Sequence, residues 1–270
     1  MILNKFRHIF RGRSGALTLL FFAVNLFSCK KTANINANKA YVNVTHTAYR
    51  TGPLTMNFDG VQLFPDSLAF GETTINGTSP YDTTTAGVHD LQVVLNVNDS
   101  VLISGNTALQ QGAYYSMFVY DTLDTRTISV IIFQNSHGAG TDTTSYIRFL
   151  NFTPGSRIGI KVVYPRNTTG KIKASYRDTV NIGPSNFVGY NPNPTIYGFS
   201  PVHIGKNDIY AFVDSSRPYR DPSDPSKDSS NFIRMGSLTF DSTRNYNVYL
   251  QGFPRTAGAD SFQVKSVLIN

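Results

Sequence analysis

Tryptophan is absent from this 270-residue chain, and glutamate and cysteine occur once each, as Glu72 and Cys29. Charged residues make up 15%, against roughly a quarter in an average soluble domain. Each shortage excludes something. With one Glu, few Lys and many β-branched and aromatic residues, good helix formers are scarce, so a helical bundle or coiled coil is ruled out. One thiol cannot close an internal disulfide. The carboxylate pairs of glycoside hydrolysis usually include Glu, and this chain has one. What is abundant instead is aromatic, with 15 Tyr and 19 Phe, set among Thr, Ser and Asn. That composition suits an all-β protein outside the cytoplasm.

The first residues read as an address. Lys5, Arg7, Arg11 and Arg13 precede an apolar stretch from Gly15 to Phe27, the layout of a secretory signal. The stretch is shorter than the roughly 20 residues a spanning helix needs. It ends at Leu26-Phe27-Ser28-Cys29, which resembles the lipobox of bacterial lipoproteins. That resemblance implies acylation of the Cys29 thiol, cleavage before it and a membrane anchor; an ordinary cleaved signal that happens to end at a Cys is the alternative. Several acyl chains anchor stably where one would not. Removing residues 1–28 takes away four bases and no acid, leaving 20 Lys and Arg against 17 acids, a net +3. The remaining bases are scattered, which disfavours nucleic acid as a partner. Residues 29–39 are polar, without period, and read as a tether.

From Tyr41 onward the chain alternates strands and turns. Tyr41–Thr45 and Leu54–Phe58 alternate apolar and polar residues, and the second runs into Asp59-Gly60, the strongest short hairpin signal. Leu91–Leu95, Ser100–Ile103, Tyr114–Tyr120 and Thr127–Phe133 follow. That is roughly seven short strands in about 95 residues, the density of an immunoglobulin-like β-sandwich. Residues 135–145 are small and polar and are taken as a linker. The pattern then restarts: Tyr146–Phe152 resembles the opening strand, Ile158–Val163 the second, Gly205–Ala211 matches Gly87–Val93, and Tyr246–Tyr249 matches Tyr115–Phe118. The expected organisation is a signal at 1–28, a tether at 29–39, a first sandwich at 40–134, a linker at 135–145 and a divergent second sandwich at 146–270.

The run Ala86-Gly-Val-His89-Asp-Leu91-Gln-Val93, followed by Gly112-Ala-Tyr-Tyr115-Ser-Met-Phe118-Val119, resembles the domain-of-unknown-function family 4397. Together with Tyr41–Val44 and Asn57–Gly60, the resemblance covers Tyr41 to Phe133 and is weaker from Tyr146 to Asn270. It implies that the glycines serve turns and the tyrosines core or corner roles, and it implies no reaction. The lipobox, the Ser-Cys-Lys-Lys run and the tandem β-modules are together similar to envelope lipoproteins of Bacteroidota.

No motif carries catalytic chemistry. Glu72, between Gly71 and Thr73-Thr74, reads as an exposed loop. No two of His46, His89, His137 and His203 stand at metal-ligand spacing, and no Gly-x-Ser-x-Gly elbow occurs. His89 is expected to point out of its strand or to bond a neighbouring turn. Asp221, Asp224 and Asp228 lie within a Pro-rich insertion at 217–231 that lacks the order of a Ca²⁺ loop. Neither a metal nor a cofactor is expected. Most aromatics read as core; Tyr190, Tyr197, Phe199 and Tyr219 lie in or beside the insertions and are the candidates for an exposed ligand-binding patch.

Asp followed by Ser or Thr and then an aliphatic residue or Thr places a hydroxyl at Ser67, Thr83, Ser100, Thr122, Thr143, Thr179 and Ser242. The pattern resembles the O-glycosylation sequon of exported Bacteroidota proteins, which makes Thr143, Thr122, Thr179 and Thr83 candidate acceptors. Favoured turn and strand-edge pairs explain it equally well. The sequence thus points to a non-catalytic, lipid-anchored envelope protein, in the outer membrane, that binds or scaffolds an envelope protein or glycan. A glycan-binding accessory lipoprotein is the alternative, and an envelope hydrolase a distant one.

Overall fold

The structure is a computed structural model. It describes residues 38–269 apart from 50, 75–78, 123–126, 136–137, 139, 154–157, 166–176, 186–187, 189–193, 195–196, 214–231 and 253–261. Cys29, with the signal and the tether as far as residue 37, therefore lies outside the described residues, while Lys39, expected to close the tether, opens the first strand.

Sixteen strands make up the described fold. Eight come first: β1 (Lys39–His46), β2 (Leu54–Phe58), β3 (Val61–Gln62), β4 (Asp82–Thr85), β5 (Gly87–Leu95), β6 (Ser100–Leu109), β7 (Tyr114–Thr122) and β8 (Thr127–Gln134). Eight follow: β9 (Thr144–Asn151), β10 (Ile158–Pro165), β11 (Arg177–Ser185), β12 (Phe199–His203), β13 (Gly205–Val213), β14 (Phe232–Phe240), β15 (Asn245–Gln251) and β16 (Gln263–Leu268). They form four sheets of four strands, in the orders β4-β1-β7-β8, β3-β2-β5-β6, β12-β9-β15-β16 and β11-β10-β13-β14. The fold is all-β, as expected, and is built as two β-sandwiches.

Strand alternation builds each core. In β1, Ala40, Val42 and Val44 point one way and meet Met56, Phe58, Leu91 and Val93 of the β3-β2-β5-β6 sheet. In β9 and β15, Ile147, Phe149, Val248 and Leu250 likewise meet Ile160, Val162, Ile209 and Ala211 of the β11-β10-β13-β14 sheet. The Asp59-Gly60 turn forms as the sequence demands. Both residues have positive φ, 53° and 77°, and Phe58 pairs with Val61 across it, the geometry of a type I′ hairpin turn.

Two parallel pairings are matched. β1 runs parallel to β7 with Asn43 beside Ser116 and Thr45 beside Phe118; β9 runs parallel to β15 with Arg148 beside Asn247 and Leu150 beside Tyr249. Each pair is also closed by the same tyrosine device. The Gln110 amide donates to the Tyr115 hydroxyl at 2.8 Å, and the Asp241 amide donates to the Tyr246 hydroxyl at 3.0 Å. Five residues separate donor from acceptor in both, which pins the entry of β7 and of β15 to the preceding turn.

Candidate functional site

The alternate side chains of β1, β7, β9 and β15 face away from their own cores. In an isolated sandwich they would be wet. Past the strand entries, where Tyr114 is still 38% exposed, they are buried here, because the β4-β1-β7-β8 sheet packs its outer face against that of the β12-β9-β15-β16 sheet. Phe118, Tyr120, Ile131 and Phe133 from one sheet and Leu150, Tyr249 and Val267 from the other make a third apolar cluster. At its centre Phe118 meets Tyr249 edge-on, with ring centroids 5.5 Å apart, and stacks on Phe152 at 5.0 Å. Such pairs add on the order of 1 kcal/mol each beyond the area they bury.

The seam is also polar. Asn43, Asn247 and Gln251 are fully buried there, and their side-chain amides hydrogen-bond to no protein group. Arg148 is 4% exposed and lies between two rings, 4.7 Å from the centroid of Phe133 and 4.4 Å from that of Phe199. Its Nη1 donates to Asn135 Oδ1 at 3.5 Å, and burial pulls its pKa down to about 10. No carboxylate among the described residues pairs with it. The Asn135 amide in turn donates to Ser116 Oγ at 2.9 Å and to the Tyr81 hydroxyl at 3.1 Å. Tyr81 itself donates to the Ile269 carbonyl, which ties the first sandwich to the end of β16.

Along the outer edge of β16 the seam opens into a cleft of about 540 Å³. Gly71, Thr73 and Thr74 line it from the first sandwich, and Lys265, Ser266 and Leu268 from the second. The segment before β4 is fixed there by main-chain bonds to β1. Gly71 donates to the His46 carbonyl at 2.7 Å and Thr74 to the Val44 carbonyl at 2.8 Å. Gly71 is required at its position, since φ is +81° and a Cβ would lie 2.4 Å from Gln251 Nε2 and 2.6 Å from Lys265 Nζ. Lys265 Nζ donates to the Gly71 carbonyl at 2.7 Å. Burial lowers the Lys265 pKa, and Glu72 acts against that shift. Burial also pushes the Tyr249 hydroxyl up to about 12, opposed by its hydrogen bond with Thr73.

The residues singled out by sequence are distributed as follows. His89 bonds a neighbouring turn: Nδ1 meets Asp59 Oδ2 at 2.7 Å and Nε2 meets the Thr85 carbonyl at 2.8 Å, with the ring stacked on Phe58 at 5.3 Å. Both ring nitrogens are thus taken up by neighbouring protein groups. The His89 hydrogen bond holds the Asp59 carboxyl below its usual range. Glu72 is exposed and its Oε2 accepts from the Ala69 amide at 2.8 Å, a turn closure. Among the described residues, no three His, Cys, Asp or Glu converge as a metal site would require. The loop with Asp221, Asp224 and Asp228 lies outside them, as does His137.

The four candidate ligand aromatics do not come together as an exposed patch among the described residues. Tyr197 is 9% exposed and packs against Phe133 at 5.8 Å, and one face of Phe199 is covered by Arg148. Tyr190 and Tyr219 lie outside the described residues. Tyr197 belongs to the apolar cluster of the seam, and burial raises its pKa to about 12. Of the candidate glycan acceptors, Thr83, Thr143 and Thr179 are exposed; the Thr122 side chain is not described.

Sequence reasoning passed over Asn43, Arg148, Asn247 and Gln251, because a polar residue alternating with apolar ones signals a solvated face. The available clue was composition: β7 carries Tyr115 and Met117 on one face and Phe118 and Tyr120 on the other, and β9 carries Ile147 and Phe149 on one and Tyr146 and Leu150 on the other, more than one core requires.

Residues 32–157 match the family described as Domain of unknown function (DUF4397). A DUF4397 domain therefore occupies that part of the chain, from the tether through β9. No curated protein matches the sequence. Among solved structures, the chain is similar to CBMbc (family CBM26) from Eubacterium rectale Amy13K in complex with maltoheptaose, at 10% identity over 83% of this chain and 99% of that one, with a TM-score of 0.19. It is also similar to a leucine-rich repeat protein from Bacteroides thetaiotaomicron, at 10% identity over 80% of this chain and 27% of that one, with a TM-score of 0.16.

Proposed function

We propose that this protein is a non-catalytic, lipid-anchored component of the cell envelope of the Bacteroidota lipoprotein type, held in the outer membrane through Cys29, that binds or scaffolds another envelope molecule. The observation that carries the binding role is the seam. Two sandwiches joined sheet to sheet make one body whose cleft is built from both, with Gly71 and Thr73 on one wall and Lys265 and Ser266 on the other. The most suggestive polar groups elsewhere are committed to the fold, as both ring nitrogens of His89 are, which supports a role without turnover. The matched strand orders and the paired Tyr115 and Tyr246 corners support descent of the second sandwich from a copy of the first. The glycan alternative draws no support from Tyr197 or Phe199.

Anchoring is tested by Cys29→Ala. Wild-type chain should stay with membranes through a high-salt wash while the variant appears in the soluble envelope fraction. A variant that still sediments with membrane overturns the lipid anchor.

A further inference from the structure

The register of β16 fixes which of its main-chain amides face the cleft. The Ile269 amide donates to the Asn245 carbonyl at 2.7 Å. Amides of an antiparallel strand alternate between its two edges. With Val267 opposite Asn247 and Lys265 opposite Tyr249, the amides of Val267 and Lys265 face β15, and those of Leu268, Ser266 and Val264 point out from the sheet. β16 is the last strand of its sheet, paired with β15 alone among the described residues.

The cleft is lined by five consecutive residues of β16, from Val264 to Leu268. Side chains of a strand alternate between faces, so a cleft over one face would take every second residue. An unbroken run means that the cleft follows the strand's edge, where its main chain is presented. Five residues span about 17 Å at the usual rise. The edge is also held in place from the first sandwich, by Lys265 on the Gly71 carbonyl at 2.7 Å and by Tyr81 on the Ile269 carbonyl.

We propose that the outer edge of β16 is a docking site for an extended polypeptide segment of a partner protein, which adds as a fifth strand beside β16. A main-chain ladder is what a polypeptide, and not a sugar or small metabolite, offers to three outward amides at strand spacing. Leu238, Val264 and Leu268 along the cleft select apolar side chains at alternate positions of the incoming segment. This deepens the binding role proposed above and rests on it.

The test uses the full-length lipidated chain in detergent micelles and random dodecapeptides displayed on phage, the tightest binder being carried forward as a synthetic peptide. Hydrogen exchange should show the amides of Val264, Ser266 and Leu268 slowed by the peptide, with those of Lys265 and Val267 unchanged. Ser266→Pro removes one outward donor and no bond to β15, a change that edge strands tolerate; it should weaken the peptide about tenfold or more, while Ser266→Ala stays within about twofold. The proposal is overturned if no dodecapeptide binds, if binding leaves the three amides unprotected, or if Ser266→Pro binds as wild type does. A Ser266→Pro chain that still captures an envelope protein would place binding elsewhere, overturning strand addition while the broader binding role stands.

Discussion

Phe118 and Tyr249 occupy the same position in their respective parallel pairs, one beside Thr45 and the other beside Leu150, and their rings meet edge-on at 5.5 Å. A contact between equivalent positions is what a two-fold axis produces. The same axis brings the start of β4 to the end of β16 through Tyr81 and Ile269, and β8 to the entry of β12 through Phe133 and Tyr197. The seam has the logic of an isologous dimer interface within one chain.

That relationship predicts coupled unfolding. Phe118→Ala should destabilise the chain by about 3–5 kcal/mol, the usual cost of emptying a buried aromatic site, and should split a single calorimetric transition into two as the sandwiches uncouple. Tyr249→Ala should do the same. A Phe118→Ala chain that melts in one transition at the wild-type temperature would show that the seam contributes nothing to cooperativity.

Stability should fall between pH 6.5 and 4 through His46. Its Nδ1 accepts from the Ala48 amide at 3.2 Å, and its Nε2 lies 3.1 Å from Thr51 Oγ1 and 3.3 Å from the Gly52 carbonyl. Burial lowers its pKa from 6.5 to about 4. A histidine depressed in the folded state stays neutral while the unfolded chain takes up a proton, so the loss begins as pH drops below 6.5 and is complete near 4. The full swing is at most about 3 kcal/mol. Urea midpoints across this window should slope less steeply in His46→Gln than in wild type; parallel slopes would assign the effect to other groups.

Arg148 should tolerate Met better than Lys. The guanidinium stacks between Phe133 and Phe199 and has no carboxylate partner among the described residues, so its desolvation is offset by two flat cation–π contacts. Lys keeps the buried charge and loses the planar stack. Met removes the charge and fills the slot. Chemical denaturation should place Arg148→Met within about 1 kcal/mol of wild type and Arg148→Lys about 2 kcal/mol below it. Equal stability of Lys and Arg at this site would sink the argument.

Much of the strand layout was legible. β2 falls on Leu54–Phe58 as its alternation and the Asp59-Gly60 turn require, and β9 covers the restart near Tyr146. β4, Asp82–Thr85, escaped notice because a run of Asp and Thr carries no apolar alternation; pairing with β1 makes it a strand. β12 was hidden inside a Pro- and Asn-rich stretch for the same reason. The seam was illegible on different grounds. Period-two alternation tells which residues share a face of a sheet, and nothing in it tells what lies over that face. Asn43 and Arg148 therefore looked solvated, and Tyr197 looked available to a ligand, when each is covered by the other sandwich.

The mixture of amides and aromatic rings across the seam bears on how such a chain reaches its final form. A sheet face made only of Phe and Tyr would be adhesive as soon as its sandwich closed, and would invite mispairing while the rest of the chain is still being delivered. With Asn43 and Ser116 paired on a face that also carries Phe118 and Tyr120, the first sandwich alone would present a face that water wets until Asn247, Tyr249 and Gln251 came to cover it. Some strength of the finished contact is given up, and the half-built protein gains the means to stay single while it waits.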